Sequence, residues 1–164
     1  MLNKKLLTEL QAYINKHIET QYVVFEKFID YIAEELPKKE LEAFINNKRK
    51  QTFNQVLFAF IDEKSTRDSD VYKRAGIDRR HFSKIRSNTD YRPSKNTVIT
   101  LAIALELNKK ETDTLLSAAG YSLSDSNTFD LIIQFCLEKN IYDLFTINQA
   151  LDFFSLTPLA GVVE

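Results

Sequence analysis

The sequence predicts an all-α protein, on three observations. Gly and Pro number three each among 164 residues, where average usage gives roughly twenty together, too few for the frequent turns of a sandwich or barrel. Apolar residues recur at helical spacing through most of the chain, as in Phe53, Val56, Leu57, Phe60 and Ile61. Helix-capping residues stand just ahead of several such stripes. The 44% apolar content, with 12 Phe and 7 Tyr, can fill a core, and 27% charged residues is ordinary for a folded soluble chain.

Taken in order, the first 48 residues read as two or three amphipathic helices forming an N-terminal extension. Leu6, Leu7, Leu10, Tyr13 and Ile14 make one stripe, and Val24, Phe25, Phe28, Ile29 and Ile32 make another. Pro37 suits the start of a third helix, with Leu41, Phe44 and Ile45 as its apolar face. The polar run Asn46 to Lys50 is the best boundary, and a second domain is expected over 49–122. After the Phe53–Ile61 stripe comes a short helix, about Ser69 to Arg74, ending at Ala75-Gly76, where glycine suits a left-handed turn. Asp78 reads as the N-cap of a helix running to about Ser87, and Asn88 to Pro93 as a loop. Ser94 caps the next helix, whose inner stripe is Val98, Leu101, Ala102 and Leu105. Asn108 to Glu111 forms a capping-box pattern, and Gly120 closes the helix it opens. Residues 123–164 are expected to form an acidic C-terminal helical extension, with helices near 127–138 and 142–154 and an irregular end at Thr157-Pro158. Phe129, Ile132, Ile133 and Cys136 share one face there, and Leu144, Phe145, Leu151 and Phe154 suggest another.

A net charge of −1 conceals a strong asymmetry. Residues 1–65 balance 10 basic against 10 acidic side chains, residues 66–110 carry 11 against 5, and residues 111–164 carry 1 against 8. The middle is therefore a local basic patch, an electrostatic footprint for polyanions.

Several function classes are excluded by what the chain lacks. A single cysteine, Cys136, cannot form an intramolecular disulfide or a multi-cysteine zinc site, and two histidines, His17 and His81, leave little for a histidine metal site. No metal or cofactor is expected. Gly76, Gly120 and Gly161 stand too far apart for a phosphate-binding loop, and no nucleophile, histidine and carboxylate constellation is legible, so no catalytic residue is assigned and an enzyme is not expected. The start has neither an apolar run nor a small-residue cleavage site, and no stretch approaches eighteen consecutive apolar residues. A cytoplasmic protein without membrane contact is the expectation.

The most informative segment runs from Val71 to Arg86, a short helix, a glycine turn and a second capped helix. With Pro93 to Leu107 behind it, residues 51–120 resemble the lambda-repressor-like, XRE-type helix-turn-helix family of bacteria and their phages. Ala75-Gly76-Ile77-Asp78, Phe82, Ile85, Pro93-Ser94 and Ala102-Ile103-Ala104-Leu105 fit its frame. Two positions depart from it: Asp68 stands where members often carry a backbone-contacting Gln, and Tyr72 where a small Ala is usual. The resemblance implies a helix-turn-helix core that reads double-stranded DNA, usually as a twofold dimer. At about 100° per residue, Arg79, Ser83, Ser87, Arg80 and Lys84 span an arc of about 140°, while Phe82, Ile85 and His81 point elsewhere. That partition is what a helix lying in a major groove requires. Tyr91, Arg92, Lys95 and Asn96 resemble the family's backbone-contacting loop. The expected function is sequence-specific DNA binding in transcriptional regulation, as a homodimer formed through one of the flanking helical segments. The alternative is a protein-binding adaptor, or a phage or mobile-element inhibitor of a defence nuclease, retaining the same fold. Asp68, Tyr72 and the acidic C-terminal third motivate that alternative.

Overall fold

Every regular element among the described residues is an α-helix, in the order α1 Lys4–Glu35, α2 Lys38–Lys48, α3 Phe53–Glu63, α4 Asp68–Arg74, α5 Arg79–Ser87, α6 Lys95–Ala104, α7 Lys109–Ala118, α8 Thr128–Glu138 and α9 Leu144–Phe153. The computed structural model describes residues 3–35 and 37–159, without the side chains of 32–35. Ile32's side chain and residues 160–164, Gly161 included, lie outside the described residues. No described helix is long and apolar enough to cross a membrane. The chain divides into two compact units, Met1–Arg49 and Lys50–Glu164.

In the first unit, the two leading stripes belong to one helix of 32 residues. No Gly or Pro interrupts residues 4–35, so the two apolar runs continue each other. Pro37 then occupies the N-cap of α2, where its missing N–H costs nothing. None of the described side chains of either helix is buried.

The second unit is organised around α6, in which every residue from Val98 to Ala104 is buried. A helix apolar all round belongs at the centre of a core. It packs against α4 and α7; α7 in turn meets α3 and α8, and α8 pairs with α9. Caps set the helix starts: Asp78, Ser94 and Asn108, as the sequence implies, and also Thr52, Asn127 and Asp143, each accept a backbone N–H of the helix they precede. Gly76 and Gly120 take φ of 64° and 80° after α4 and α7, conformations natural to glycine.

Residues 123–159 share this core, since Ile133, Cys136, Leu137, Ile147, Leu151 and Leu159 are all buried with it. Burial pushes the Cys136 thiol above its ordinary pKa, consistent with a small core residue. On α9 the inner face is Ile147, Asn148 and Leu151, with Leu144 partly buried beside the core, so Leu144 and Leu151 of the expected set face inward and Phe145 and Phe154 do not. Phe145 lies on the opposite side and Phe154 falls beyond the last turn, so both are exposed. The irregular end is fixed by Asn148, whose side chain accepts the Leu159 N–H at 2.8 Å and donates to its carbonyl at 3.4 Å.

Candidate nucleic-acid interface

The site is the outer surface of α5, and its inner surface explains why that helix is held firmly. Asp78 accepts the Arg80 N–H at 2.8 Å, starting the helix. Phe82 and Ile85, about five-sixths of a turn apart, are buried; Phe82 meets Tyr72 and Phe58 with ring centroids 5.5 and 6.0 Å away. At the other end the buried Asn54 of α3 donates to the carbonyls of Ile85 at 2.7 Å and Arg86 at 3.1 Å. These are carbonyls near the C-terminus of α5, a region where intrahelical partners run out. Arg86 donates to Asp68 of α4 at 2.6 Å and lies 4.3 Å from the Phe58 ring centroid. The hydrogen bond to Asp68 raises the already high pKa of Arg86.

Asp68 thus neither faces a ligand alone nor stays uncompensated. Its carboxylate ties α4 to α5, the two elements on either side of the glycine turn. Tyr72 fills space beside Phe82 as a partly buried ring. Asp68 joins the two helices by an ion pair and Tyr72 by ring packing.

The outward arc is as the spacing implies. Arg79, Arg80, Ser83, Lys84 and Ser87 are all exposed. Among the described residues, Arg79, Arg80 and Lys84 have no carboxylate partner. The Lys84 ammonium sits 4.8 Å from the Tyr91 ring centroid, and Tyr91 Oη lies 3.1 Å from His81 Nε2. His81 is therefore a packing residue at the edge of the core, bonded to the loop. The structure brings Tyr91 next to the α5 arc.

Arg92 and Lys95 are turned instead to partners within the fold. Arg92 donates to the carbonyls of Ala119 at 2.6 Å and Gly120 at 3.4 Å, and stacks 4.3 Å from the Tyr121 ring centroid. A Cβ on Gly120 would stand 3.2 Å from the Arg92 guanidinium, a second reason for glycine there. Lys95 donates to the buried carboxylate of Asp130 at 2.7 Å, and Asp130 also accepts the Ser124 N–H at 2.8 Å. Both cations position the loop and α6; Lys95 has its charge paired with Asp130, whereas Arg92 is exposed, bonds only carbonyls and has no carboxylate partner among the described residues. Asn96, one residue on, is exposed.

Sequence reasoning missed Asn54, Arg86 and Asp130. Asn54 carried a signal, a polar residue inside an otherwise apolar helical stripe. Arg86 and Asp130 carried none, because their partners are 18 and 35 residues away in the chain. Among the described residues no group of three or more His, Cys, Asp or Glu could hold a metal ion. No protein-family model, curated protein or solved structure matches the chain.

Proposed function

We propose that residues 49–122 are a lambda-repressor-like helix-turn-helix which binds double-stranded DNA sequence-specifically, with α5 in the major groove, and that the protein regulates transcription. The observation that carries this reading is the pair Arg79-Arg80 in the first turn of α5. The positive end of a helix dipole is the least favourable place for cations, at typically 0.3–1 kcal/mol each near the surface. The neighbouring α4 follows the usual preference, with Asp68 and Asp70 in its first turn and Lys73 and Arg74 in its last. The first turn of α5 has no acidic residue, and both its arginines are exposed. Stability does not account for that choice, whereas a recognition helix contacts bases with its N-terminal residues. Arginine can make paired hydrogen bonds to guanine there, and Ser83, Lys84 and Ser87 extend the same face.

Selection of bound sequences from a random DNA pool tests the reading. A consensus should emerge at about 100 mM salt, where specific complexes remain tight. Its absence would remove the proposal.

A second reading, a protein-binding adaptor or inhibitor, is favoured by α9. Phe153 is 83% exposed, with Phe145 and Phe154 also largely exposed. Apolar surface of this kind suits a protein partner, and the acidic C-terminal third would attract a basic one such as a nuclease. A stoichiometric partner in a pulldown, together with no affinity for DNA, supports this second reading.

A further inference from the structure

We propose that α1 is a self-association helix whose apolar face pairs, antiparallel, with α1 of a second copy of the chain. The proposal stands on α1 alone and is independent of the nucleic-acid reading. At about 100° per residue, Leu7, Leu10, Ile14, Ile18, Phe25 and Ile29 fall within an arc of about 100°. That arc also holds Gln11 and Gln21, but no Lys, Arg, Asp or Glu of residues 3–31. The six apolar side chains are each between 42% and 60% exposed. Nothing in residues 3–31 or 37–49 covers them, since none of those side chains is buried and α2 exposes its own Leu41, Phe44 and Ile45.

Magnitudes favour a partner over a solvated face. With Phe28, which also falls in the arc, and Val24 at its edge, these side chains expose roughly 800 Å², about one partner's share of a standard stable interface. Monomeric soluble proteins rarely leave contiguous apolar patches of that size open. Helices in proteins, moreover, draw most of their stability from packing an amphipathic face.

Charge selects the partner and its direction. Helices that lie on lipid surfaces carry a polar face rich in Lys and Arg. Residues 3–17 carry Lys4, Lys5 and Lys16 against Glu9, a net +2, while residues 18–35 carry Lys27 against Glu19, Glu26, Asp30, Glu34 and Glu35, a net −4. The sum is acidic, the wrong sign for anionic lipid. A parallel pair would set like charge beside like, whereas an antiparallel pair sets the basic half beside the acidic half. Opposed helix dipoles favour the same direction. The charged residues of 3–31 lie outside the apolar arc, so they orient the pair while burial supplies the affinity. Full overlap of a stripe from Leu7 to Ile29 puts Ile18 at the crossing point, facing its own copy.

The test uses the full-length protein. At about 10 μM, a concentration that populates any dimer with a micromolar or lower Kd, sedimentation equilibrium should give twice the 19.0 kDa of one chain. Ile18→Glu should weaken the dimer at least about tenfold without moving the urea midpoint of the second unit. Under mild oxidation Ile18→Cys should crosslink to itself, and Leu7→Cys should crosslink to Ile29→Cys in a mixture but not to itself. A wild-type monomer at that concentration would overturn the proposal, and cosedimentation of that monomer with phosphatidylcholine–phosphatidylglycerol vesicles would give the face to lipid. A dimer that survives Ile18→Glu, or Leu7→Cys linking to itself as fast as Ile18→Cys, would also overturn it. A dimer behaving as expected but with no affinity for DNA would sustain this inference while removing the DNA reading.

Discussion

Arg80 and Lys95 are both basic residues near the candidate surface, yet their surroundings give them opposite roles. Arg80 is exposed, in the first turn of α5, and among the described residues has no carboxylate partner. Arg80→Ala should leave the urea midpoint the same or slightly higher, since a cation leaves the positive end of the helix dipole, and cost about 1–3 kcal/mol on the preferred DNA site, with relaxed preference at one base position. Lys95 is paired with Asp130, whose side chain is only 3% exposed. Lys95→Ala would leave a buried carboxylate without its cation, so it should lower stability by about 3–5 kcal/mol, read as a fall in the urea midpoint. Replacing Asp130 as well, by Asn, should recover part of that loss, because the uncompensated charge is then gone. Sequence placed both residues on a DNA-facing surface. It assigned Arg80 to the base-reading arc and Lys95 to the backbone-contacting loop, but could not show that Lys95 is claimed within the fold, because its partner lies 35 residues further on.

At the scale of elements, caps carry much of the local specification. Asp78→Ala should destabilise the second unit by about 1 kcal/mol through loss of the bond to the Arg80 N–H, with little change in the urea slope. Asp143 caps α9, and hydrogen bonds from the Thr146 hydroxyl and N–H hold its carboxylate below the ordinary value of 3.8. A depressed folded-state pKa contributes stability that is present above the unfolded value and lost as pH falls through the folded one. Acid unfolding below about pH 4 should therefore become less steep in Asp143→Asn, measured by pH titration of the circular dichroism. Helix starts were legible because a cap is a local signal, and Asp78, Ser94 and Asn108 all act where the sequence put them. Periodicity failed at the last turns, where Phe154 continues the apolar rhythm after α9 has ended, with Ser155 at a φ of 58°. Periodicity also reads the two leading stripes apart, although no Gly or Pro separates them and their residues share one helical arc, and they form the single helix α1.

At the scale of the molecule, the acidic segment after Gly120 is part of the core that supports α6 and α7. Truncation after Gly120 would remove Leu137, Ile147, Leu151 and the Asp130 partner of Lys95. That truncated chain should unfold or aggregate, visible as loss of a cooperative urea transition. The field of the segment can be altered without that damage at the exposed Glu138 and Asp152. Glu138→Gln with Asp152→Asn should raise affinity for random DNA at low salt, by removing repulsion of phosphate. The central claim is that α5 reads bases, and one comparison tests it most directly. Binding of wild type and Arg80→Ala would be titrated on the selected site and on random DNA, at matched salt. The account requires a loss of about tenfold or more on the selected site and a markedly smaller one on random DNA. Equal losses on both, or none on either, would contradict it.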